Sequence, residues 1–240
     1  MVAVAWSAMA GAAIFERDDR IASVDPRLPV GIVSATASAY GSGFLIDPCH
    51  VLTAHHVIGA GDVVGRRIRF RMMSVAGDRS AGSVIASGGK PQRQGDYSDD
   101  WALVRLDQCL GNAAGFYPVS DSGFGRIGNS DRLSPALIGL GYPRDRGGRR
   151  LMVDPGCAAR QRTMIGLRHD CAALPGGSGG PLIAWNAERS RYEAVAINVA
   201  QFPQRTAVAF TLDQANLAVE LAPLWTRIEA ATKLSLVTAR

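Results

Sequence analysis

The chain has 240 residues, of which 47% are hydrophobic and 20% are charged, with 27 glycines and 12 prolines. This composition is typical of a globular, turn-rich protein and excludes a disordered chain, a coiled coil and collagen. The formal net charge of +5 arises from 24 Arg and 2 Lys spread along the chain, which predicts solubility rather than a nucleic-acid footprint. No apolar stretch reaches the roughly 18 residues of a membrane-spanning helix.

The first 15 residues are apolar and rich in alanine. Their Ala8-Met9-Ala10 run has the small-x-small form that a signal peptidase accepts, but no Lys or Arg precedes it. Two interpretations stay open: the remnant of a signal sequence that starts upstream, or the first segment of the mature protein. We assign residues 1–20 to an N-terminal segment, a signal or pro-peptide remnant, and expect a secreted or periplasmic protein.

Short strand-type segments separated by turn residues follow along the chain. In residues 68–72 the apolar side chains alternate with arginines, which is the period-2 pattern of a half-buried strand. The other predicted strands are residues 31–36, 43–46, 51–53, 101–106, 136–140, 151–153, 181–185, 194–199 and 207–212. Many short strands predict an all-β sandwich or barrel. The turn-rich residues 107–134 predict a connection between two β halves, placed at residues 21–115 and 116–240.

Only the C-terminal part of the chain has helical periodicity. Apolar residues that would share one helix face are Leu217, Leu221, Leu224, Trp225 and Ile228. Pro223 interrupts this pattern because its ring removes a backbone donor. We therefore expect a kink there, or two short helices of which the second begins at Pro223.

The four cysteines contain no C-x-x-C pair, so neither a zinc ribbon nor a redox motif is indicated. An even count fits two disulfides, for which three connectivities exist. We favour Cys157 with Cys171 and Cys49 with Cys109. The alternative is a set of four buried free thiols.

Three segments carry the residue types that acyl transfer needs. His55-His56 follows an apolar strand, Asp99-Asp100 precedes another, and Ser178 lies among glycines in residues 176–180. A serine hydroxyl is a poor nucleophile at neutral pH, so it needs an imidazole to take its proton and a carboxylate to orient that imidazole. The α/β-hydrolase nucleophile elbow is excluded because its histidine follows the serine, whereas all four histidines here precede Ser178.

These segments resemble the three motifs of the trypsin-like serine proteases. Leu52-Thr53-Ala54-His55-His56-Val57 is similar to their T-A-x-H histidine motif, Asp100-Trp101-Ala102-Leu103 to their D-x-A-L aspartate motif, and residues 176–181 to their G-[DN]-S-G-G-P serine motif. Further segments, among them residues 41–46 and 141–143, are similar to the bacterial branch that includes the glutamyl endopeptidases. The resemblance implies two six-stranded antiparallel β-barrels packed face to face, to which we add the C-terminal α-helix.

By this resemblance, His56 is the general base and acid, Asp100 is the carboxylate that orients it, and Ser178 is the nucleophile of a serine endopeptidase. The amides of Gly176 and Ser178 are implied to form the oxyanion hole, and the glycines permit the tight turn that aims them. His55 fills a variable position of the motif and is expected to make a structural hydrogen bond. No cofactor is implied, and we expect a monomer that acts on a protein or peptide.

The other polar candidates are given structural roles. Asp99 is expected to be a solvated neighbour of Asp100. His50 and His169 are expected in loops or at the surface, where they are too few and too scattered for a metal site.

Three positions depart from the family pattern. Gly177 replaces the aspartate that binds the freed N-terminal ammonium in trypsin-like enzymes, so no trypsin-style zymogen switch is expected, and a flipped peptide there would leave the oxyanion hole unformed until substrate binds. Ala172 replaces the aspartate of enzymes that cut after Lys or Arg, and Asn198 replaces the histidine with which glutamyl endopeptidases recognise an acidic P1 residue. These substrate-binding positions favour a small or apolar P1 residue. The alternative function is a catalytically silent binding or regulatory module on the protease fold.

Overall fold

The computed structural model describes residues 14–23, 25, 27–36, 39–73, 78–89, 97–122, 136–200 and 209–237. Their strands are β1 (Ile21–Ala22), β2 (Val30–Ser34), β3 (Gly41–Leu45), β4 (His50–Thr53), β5 (Arg67–Arg71), β6 (Arg79–Ser87), β7 (Ala102–Leu106), β8 (Leu137–Gly141), β9 (Met152–Cys157), β10 (Ala159–Thr163), β11 (Gly166–His169), β12 (Pro181–Asn186), β13 (Arg191–Ala200) and β14 (Asn216–Glu220). The α-helices are α1 (His55–Ile58), α2 (Gly111–Ala114) and α3 (Trp225–Val237), and the 3-10 turns are Arg144–Arg146, Leu212–Gln214 and Ala222–Leu224. The signal-like run at Ala8 lies outside the described residues.

The first half of the fold is a closed antiparallel barrel of six strands in the order β2-β3-β4-β7-β6-β5. The alternation of buried and exposed side chains that the sequence predicts is observed in β5. Ile68 and Phe70 are buried, while the three arginines between and beside them are exposed. Fully buried Phe44 and Leu103 fill the interior from β3 and β7. Because the barrel is closed, it has no unpaired strand edge.

The second half is one antiparallel sheet of eight strands in the order β1-β9-β8-β12-β13-β14-β11-β10. Strands β9 and β10 are separated by Ala158 alone, and this bent segment pairs with β8 through its first part and with β11 through its second part. The predicted all-β, chymotrypsin-like fold with a C-terminal helix is therefore confirmed. The second half departs from the predicted six-stranded barrel: it is an eight-stranded sheet, in which one strand is broken at Ala158 and β1 is added beside β9.

Each half is completed by a segment from the far end of the chain. Strand β1 lies before the first barrel in the sequence, but Ile21 pairs with Val153 of β9 in the second sheet. Helix α3 follows the second sheet, yet its Ser235 Oγ lies 2.7 Å from Nε2 of buried His50 in the first barrel. Each terminal element therefore packs against the half that is farther from it in the sequence.

The apolar pattern near the C-terminus belongs to two elements. Leu217 lies in β14 rather than in a helix, and α3 begins at Trp225 after the 3-10 turn that contains Pro223. Strand β14 is flanked by β13 and β11 and is buried along nearly its whole length. A strand with two apolar faces shows no period of 2, so its residues could be read as helical. Residues 209–212, part of a predicted strand, are not in one either.

All four cysteines are paired. Cys49 is bonded to Cys109 within the first half, and Cys157 is bonded to Cys171 within the second. This is the connectivity that we favoured from the sequence. The second disulfide holds the segment that leads directly into the glycine-rich serine loop.

Candidate active site

Strand pairing brings His56 and Asp100 together. Thr53 at the end of β4 pairs with Ala102 at the start of β7, so the three residues after β4 and the two before β7 leave the barrel at the same end. His56 Nδ1 lies 2.6 Å from Asp100 Oδ2, and the His56 backbone N–H donates to Asp100 Oδ1 at 3.0 Å. One carboxylate therefore fixes both the ring and the backbone of His56.

The two side chains differ sharply in exposure. The Asp100 side chain is 0% exposed, whereas the His56 side chain is 42% exposed. A buried carboxylate that accepts hydrogen bonds on both oxygens holds the imidazole in the tautomer with a proton on Nδ1. Nε2 is then the ring nitrogen left to accept a proton from a nucleophile in the cleft.

The neighbouring residues have structural partners. Nδ1 of buried His55 lies 2.7 Å from Ser87 Oγ. Asp99, expected to be a solvated neighbour, has a side chain that is 40% exposed, and it also accepts a hydrogen bond from Trp101 Nε1 at 2.9 Å and pairs with Arg227 at 2.7 Å. The expectation that His50 lies in a loop or at the surface is wrong, because it is fully buried in β4 between Asp47 and Ser235.

Ser178 lies in a loop of the second half that is hydrogen-bonded to β3 of the first barrel. The backbone N–H of Ser42 in β3 donates to the Ser178 carbonyl at 2.7 Å, and Ser42 Oγ donates to the Gly176 carbonyl at 2.8 Å. Ser42 Oγ in turn accepts from the Tyr142 N–H at 2.9 Å. Ser42 was missed as a site residue because one serine among many carries no local signal.

Two glycines permit a close approach between the serine loop and the histidine turn. A methyl group on Gly41 would lie 2.7 Å from the Ser178 carbonyl oxygen and 2.5 Å from a methyl carbon of Val57, the residue after His56. One on Gly179 would lie 3.1 Å from the Ala54 nitrogen. The backbones next to Ser178 and next to His56 therefore line the same cleft.

Two carbonyl groups of the serine loop are fixed by backbone hydrogen bonds. The Pro175 carbonyl accepts from the Arg144 N–H at 2.7 Å, and the Gly177 carbonyl accepts from the Gly180 N–H at 2.9 Å. In a trans peptide the N–H points opposite to the C=O, so the N–H groups of Gly176 and Ser178 face the other way. Gly176 has φ of +92°, a conformation that only glycine adopts at low cost.

A small cavity of about 30 Å³ lies behind Gly177. Ala172 and Asn198 both line it, together with Asp154 and His169. The Ala172 N–H donates to Asp154 Oδ2 at 2.6 Å, and burial raises the pKa of Asp154 to about 6. His169 was also expected in a loop or at the surface, but it is fully buried in β11, where burial lowers its pKa to about 4.

Arg20 connects the N-terminal segment to this cavity. Its side chain is only 3% exposed and pairs with Asp18 at 2.8 Å and with Asp145 at 2.7 Å. The hydrogen bond from Arg20 lowers the pKa of Asp18 to about 2, against the opposing effect of burial. Asp145 lies in the 3-10 turn whose Arg144 amide holds the Pro175 carbonyl. The N-terminal segment therefore braces the turn on which the serine loop rests.

Comparison with known proteins agrees with this geometry. A family model described as the trypsin-like peptidase domain matches residues 41–189, and the chain belongs to that family. The family and the fold support a protease hydrolase whose substrates are proteins or peptides. No curated protein sequence matches the chain at a significant level.

Solved structures share the fold at low sequence identity. One described as Glu endopeptidase in complex with MPD has a TM-score of 0.63 and 14% identity, covering 92% of this chain and 100% of that chain. Another, the inactive form of Rv3671c protease, has a TM-score of 0.54 and 17% identity, covering 86% of this chain and 90% of that chain. At these identities the likeness establishes the fold alone.

The disulfides and the protease fold are compatible with an extracellular or periplasmic location. Among the helices of the described residues, none has the length and apolar character needed to cross a membrane.

Proposed function

We propose that this protein is a serine endopeptidase in which Ser178, His56 and Asp100 hydrolyse peptide bonds through an acyl-enzyme. The observation that carries the proposal is the buried Asp100 carboxylate at 2.6 Å from His56 Nδ1, on the same cleft as the loop that presents Ser178. A carboxylate and an imidazole in this relation supply the base that a serine nucleophile requires.

In the first step, Ser178 Oγ attacks the scissile carbonyl carbon while His56 Nε2 takes the hydroxyl proton. The carbonyl oxygen becomes negative and is stabilised by the N–H groups of Gly176 and Ser178. Collapse of this intermediate breaks the C–N bond, and His56 gives its proton to the leaving amine. Water then attacks the acyl-enzyme with His56 again as base, which releases the acid and restores Ser178.

The anchored carbonyls of Pro175 and Gly177 support an oxyanion hole that exists before substrate binds. Preorganised donors of this kind each contribute about 10²–10³ in rate. The alternative that we derived from Gly177, a flipped peptide that leaves the hole unformed, would require the Pro175 carbonyl to leave the Arg144 amide.

For specificity, we propose that the P1 residue is small or apolar. Ala172 offers no carboxylate for a basic side chain, and Asn198 supplies an amide without a positive charge. The buried Asp154 carboxylate behind Ala172 disfavours an acidic P1 side chain. Hydrolysis of a peptide library that varies only at P1 tests this preference, which preferred cleavage after Glu or Arg would contradict.

The two disulfides support the further proposal that the protein is secreted or periplasmic, and we also propose that it acts as a monomer. We also propose that the boundary between the two halves lies near residue 115.

Labelling with a fluorescent fluorophosphonate tests the triad. We expect one adduct, mapped to Ser178, that disappears in Ser178→Ala and in His56→Ala but persists in Ser122→Ala, a matched change at an exposed serine. Circular dichroism verifies that each variant is folded. Labelling of Ser178→Ala, or its continued cleavage of peptides, would overturn the proposal. Unlabelled but folded protein that still binds peptides would establish the silent binding module instead.

A further inference from the structure

A groove with a volume of about 1090 Å³ lies on the first barrel next to the candidate active site. Its floor is formed by β2, β5 and β6, and one wall is the turn at residues 147–149 from the second half. This volume is at the upper limit of small-molecule pockets and is sufficient for an extended peptide. We call it the arginine groove, after four residues that line it: Arg69, Arg71, Arg79 and Arg149.

The four arginines of the groove are exposed, and within the described part of the chain none of them forms an ion pair. The one carboxylate that lines the groove, Asp107, is paired with Arg67. Residues 74–77, which connect β5 to β6, contain no acidic residue. The groove therefore presents four guanidinium groups that form no ion pair with the described residues.

The positions of two of these arginines destabilise the sheet. Arg71 and Arg79 are directly opposite each other in the β5–β6 ladder, and like charges at opposed positions destabilise a sheet. Arg69 and Arg71 extend from the same face of β5, because side chains two residues apart in a strand share a face. A bound anionic ligand would offset this repulsion.

The groove is continuous with the serine loop through Tyr40. Tyr40 lines the groove, and its ring carbon Cε2 lies 3.2 Å from the position that a methyl group on Gly176 would occupy. The Arg144 guanidinium stacks over the same ring at 4.9 Å from its centroid. The proposed P1 positions, Ala172 and Asn198, lie beside the cavity behind Gly177. No residue lines both the groove and that cavity, and we therefore assign the groove to the leaving-group side of the scissile bond.

We propose that the arginine groove binds an acidic segment of the polypeptide substrate, located on the C-terminal side of the scissile bond. This inference rests on the proposed peptidase function and adds a substrate class to it. Guanidinium groups bind carboxylates through paired, charge-assisted hydrogen bonds, and a cluster of them attracts Asp and Glu residues before the scissile bond reaches Ser178. In this proposal, Ala172 and Asn198 still determine the preference at P1.

Steady-state cleavage of matched peptides tests the proposal. Two peptides share one P1 residue and differ in the segment C-terminal to the scissile bond, which contains four Glu in one and four Gln in the other. At low salt we expect kcat/KM to be about tenfold higher for the Glu peptide, mainly through KM, with the difference shrinking as salt screens the charges. A third peptide, with the four Glu on the N-terminal side, should gain no such advantage.

The variant Arg71→Gln/Arg79→Gln should abolish the preference while leaving cleavage of the Gln peptide unchanged. Arg162→Gln/Arg191→Gln, which removes the same charge from two half-exposed arginines in the second half, should retain it. Equal cleavage of the two peptides by the unmodified protein would overturn the proposal. A preference that survives in Arg71→Gln/Arg79→Gln would also overturn it.

Direct binding separates this inference from the catalytic one. Fluorescence anisotropy of the labelled Glu and Gln peptides with Ser178→Ala protein requires no turnover, so a tighter Glu complex that Arg71→Gln/Arg79→Gln weakens supports the groove even if the protein cleaves nothing. A single-stranded 20-mer DNA serves as the competing probe. DNA binding without Glu-peptide binding would assign the groove to nucleic acid and overturn the proposal.

Discussion

The two halves of the molecule supply the candidate site in different ways. The first barrel contributes His56 and Asp100 from the ends of β4 and β7, so the pairing of Thr53 with Ala102 determines their separation. The second half contributes Ser178 from a loop outside its strands, and that loop is held by Ser42 of the first barrel and by the Arg144 amide. The proposed base is positioned by sheet register, and the proposed nucleophile is positioned by individual hydrogen bonds.

This difference indicates which changes destroy activity and which adjust it. A strand register is shared by many backbone hydrogen bonds and changes only when the barrel unfolds. A loop held by a few separate hydrogen bonds, most of them from backbone groups, can lose its geometry one contact at a time. The following predictions separate the two kinds of positioning.

The largest effect is expected for Asp100→Asn. The amide cannot hold the Nδ1 proton of His56 as the carboxylate does, so the imidazole takes the wrong tautomer and kcat falls about 10⁴-fold. Hydrolysis of a peptide ester measures this loss, and a thermal melt verifies that the barrel is intact. Asp99→Asn, the adjacent matched change, should stay within a few-fold of the unmodified protein. More than a tenth of the activity in Asp100→Asn would refute the assigned role.

Removal of each disulfide is expected to affect stability and activity differently. On the loop-entropy model, removing Cys49–Cys109, with a separation of 60 residues, costs about 4 kcal/mol, and removing Cys157–Cys171, with a separation of 14, costs about 3 kcal/mol. Urea unfolding of the two Cys→Ser double variants measures this order. Below the melting temperature, only loss of Cys157–Cys171 should lower kcat, because Cys171 leads into the serine loop. Equal losses of kcat would contradict this division.

The tether at Ser42 is expected to have an intermediate effect. Ser42→Ala leaves the Gly176 carbonyl and the Tyr142 N–H without their partner, so the loop loses its hold and kcat falls about 10–100-fold with little change in KM. Ser34→Ala in β2, a half-buried serine of the same barrel, is the matched control. An unchanged kcat in Ser42→Ala would mean that the loop keeps its shape without this tether.

The smallest effect concerns Asp154 and pH. Its folded pKa of about 6 exceeds the value of about 3.9 in an unfolded chain. Between these values the folded state retains a proton that the unfolded state has lost, so this group lowers the free energy of unfolding as pH rises from about 4 to 6. Asp154→Asn removes the buried charge and should be more stable than the unmodified protein by about 1–2 kcal/mol at pH 7.5.

Urea unfolding at pH 4, 5, 6 and 7.5 measures this difference between Asp154→Asn and the unmodified protein. The stabilisation should shrink toward zero at pH 4, where the carboxyl group is protonated in both states. A gain that does not depend on pH would show that Asp154 is not the titrating group.

Sequence alone could indicate the fold class because alternation along strands such as β5 is a local property. It could indicate His56, Asp100 and Ser178 as candidates because few residue types perform acyl transfer. It could not indicate the pairing of Ile21 with Val153, since nothing near either residue specifies so distant a partner. The burial of His50 and His169 was missed for a related reason, because their surroundings come from remote segments.

The contacts of β1 with the second sheet and of α3 with the first barrel affect how the chain folds during its synthesis on the ribosome. Strand β1 has no partner until the ribosome has produced β9, and the first barrel lacks its contact with α3 until that helix has emerged. Contacts between such distant residues slow folding and favour its completion after the whole chain is available. The nascent chain therefore contains His56, Asp100 and Ser178 before the first barrel gains its contact with α3.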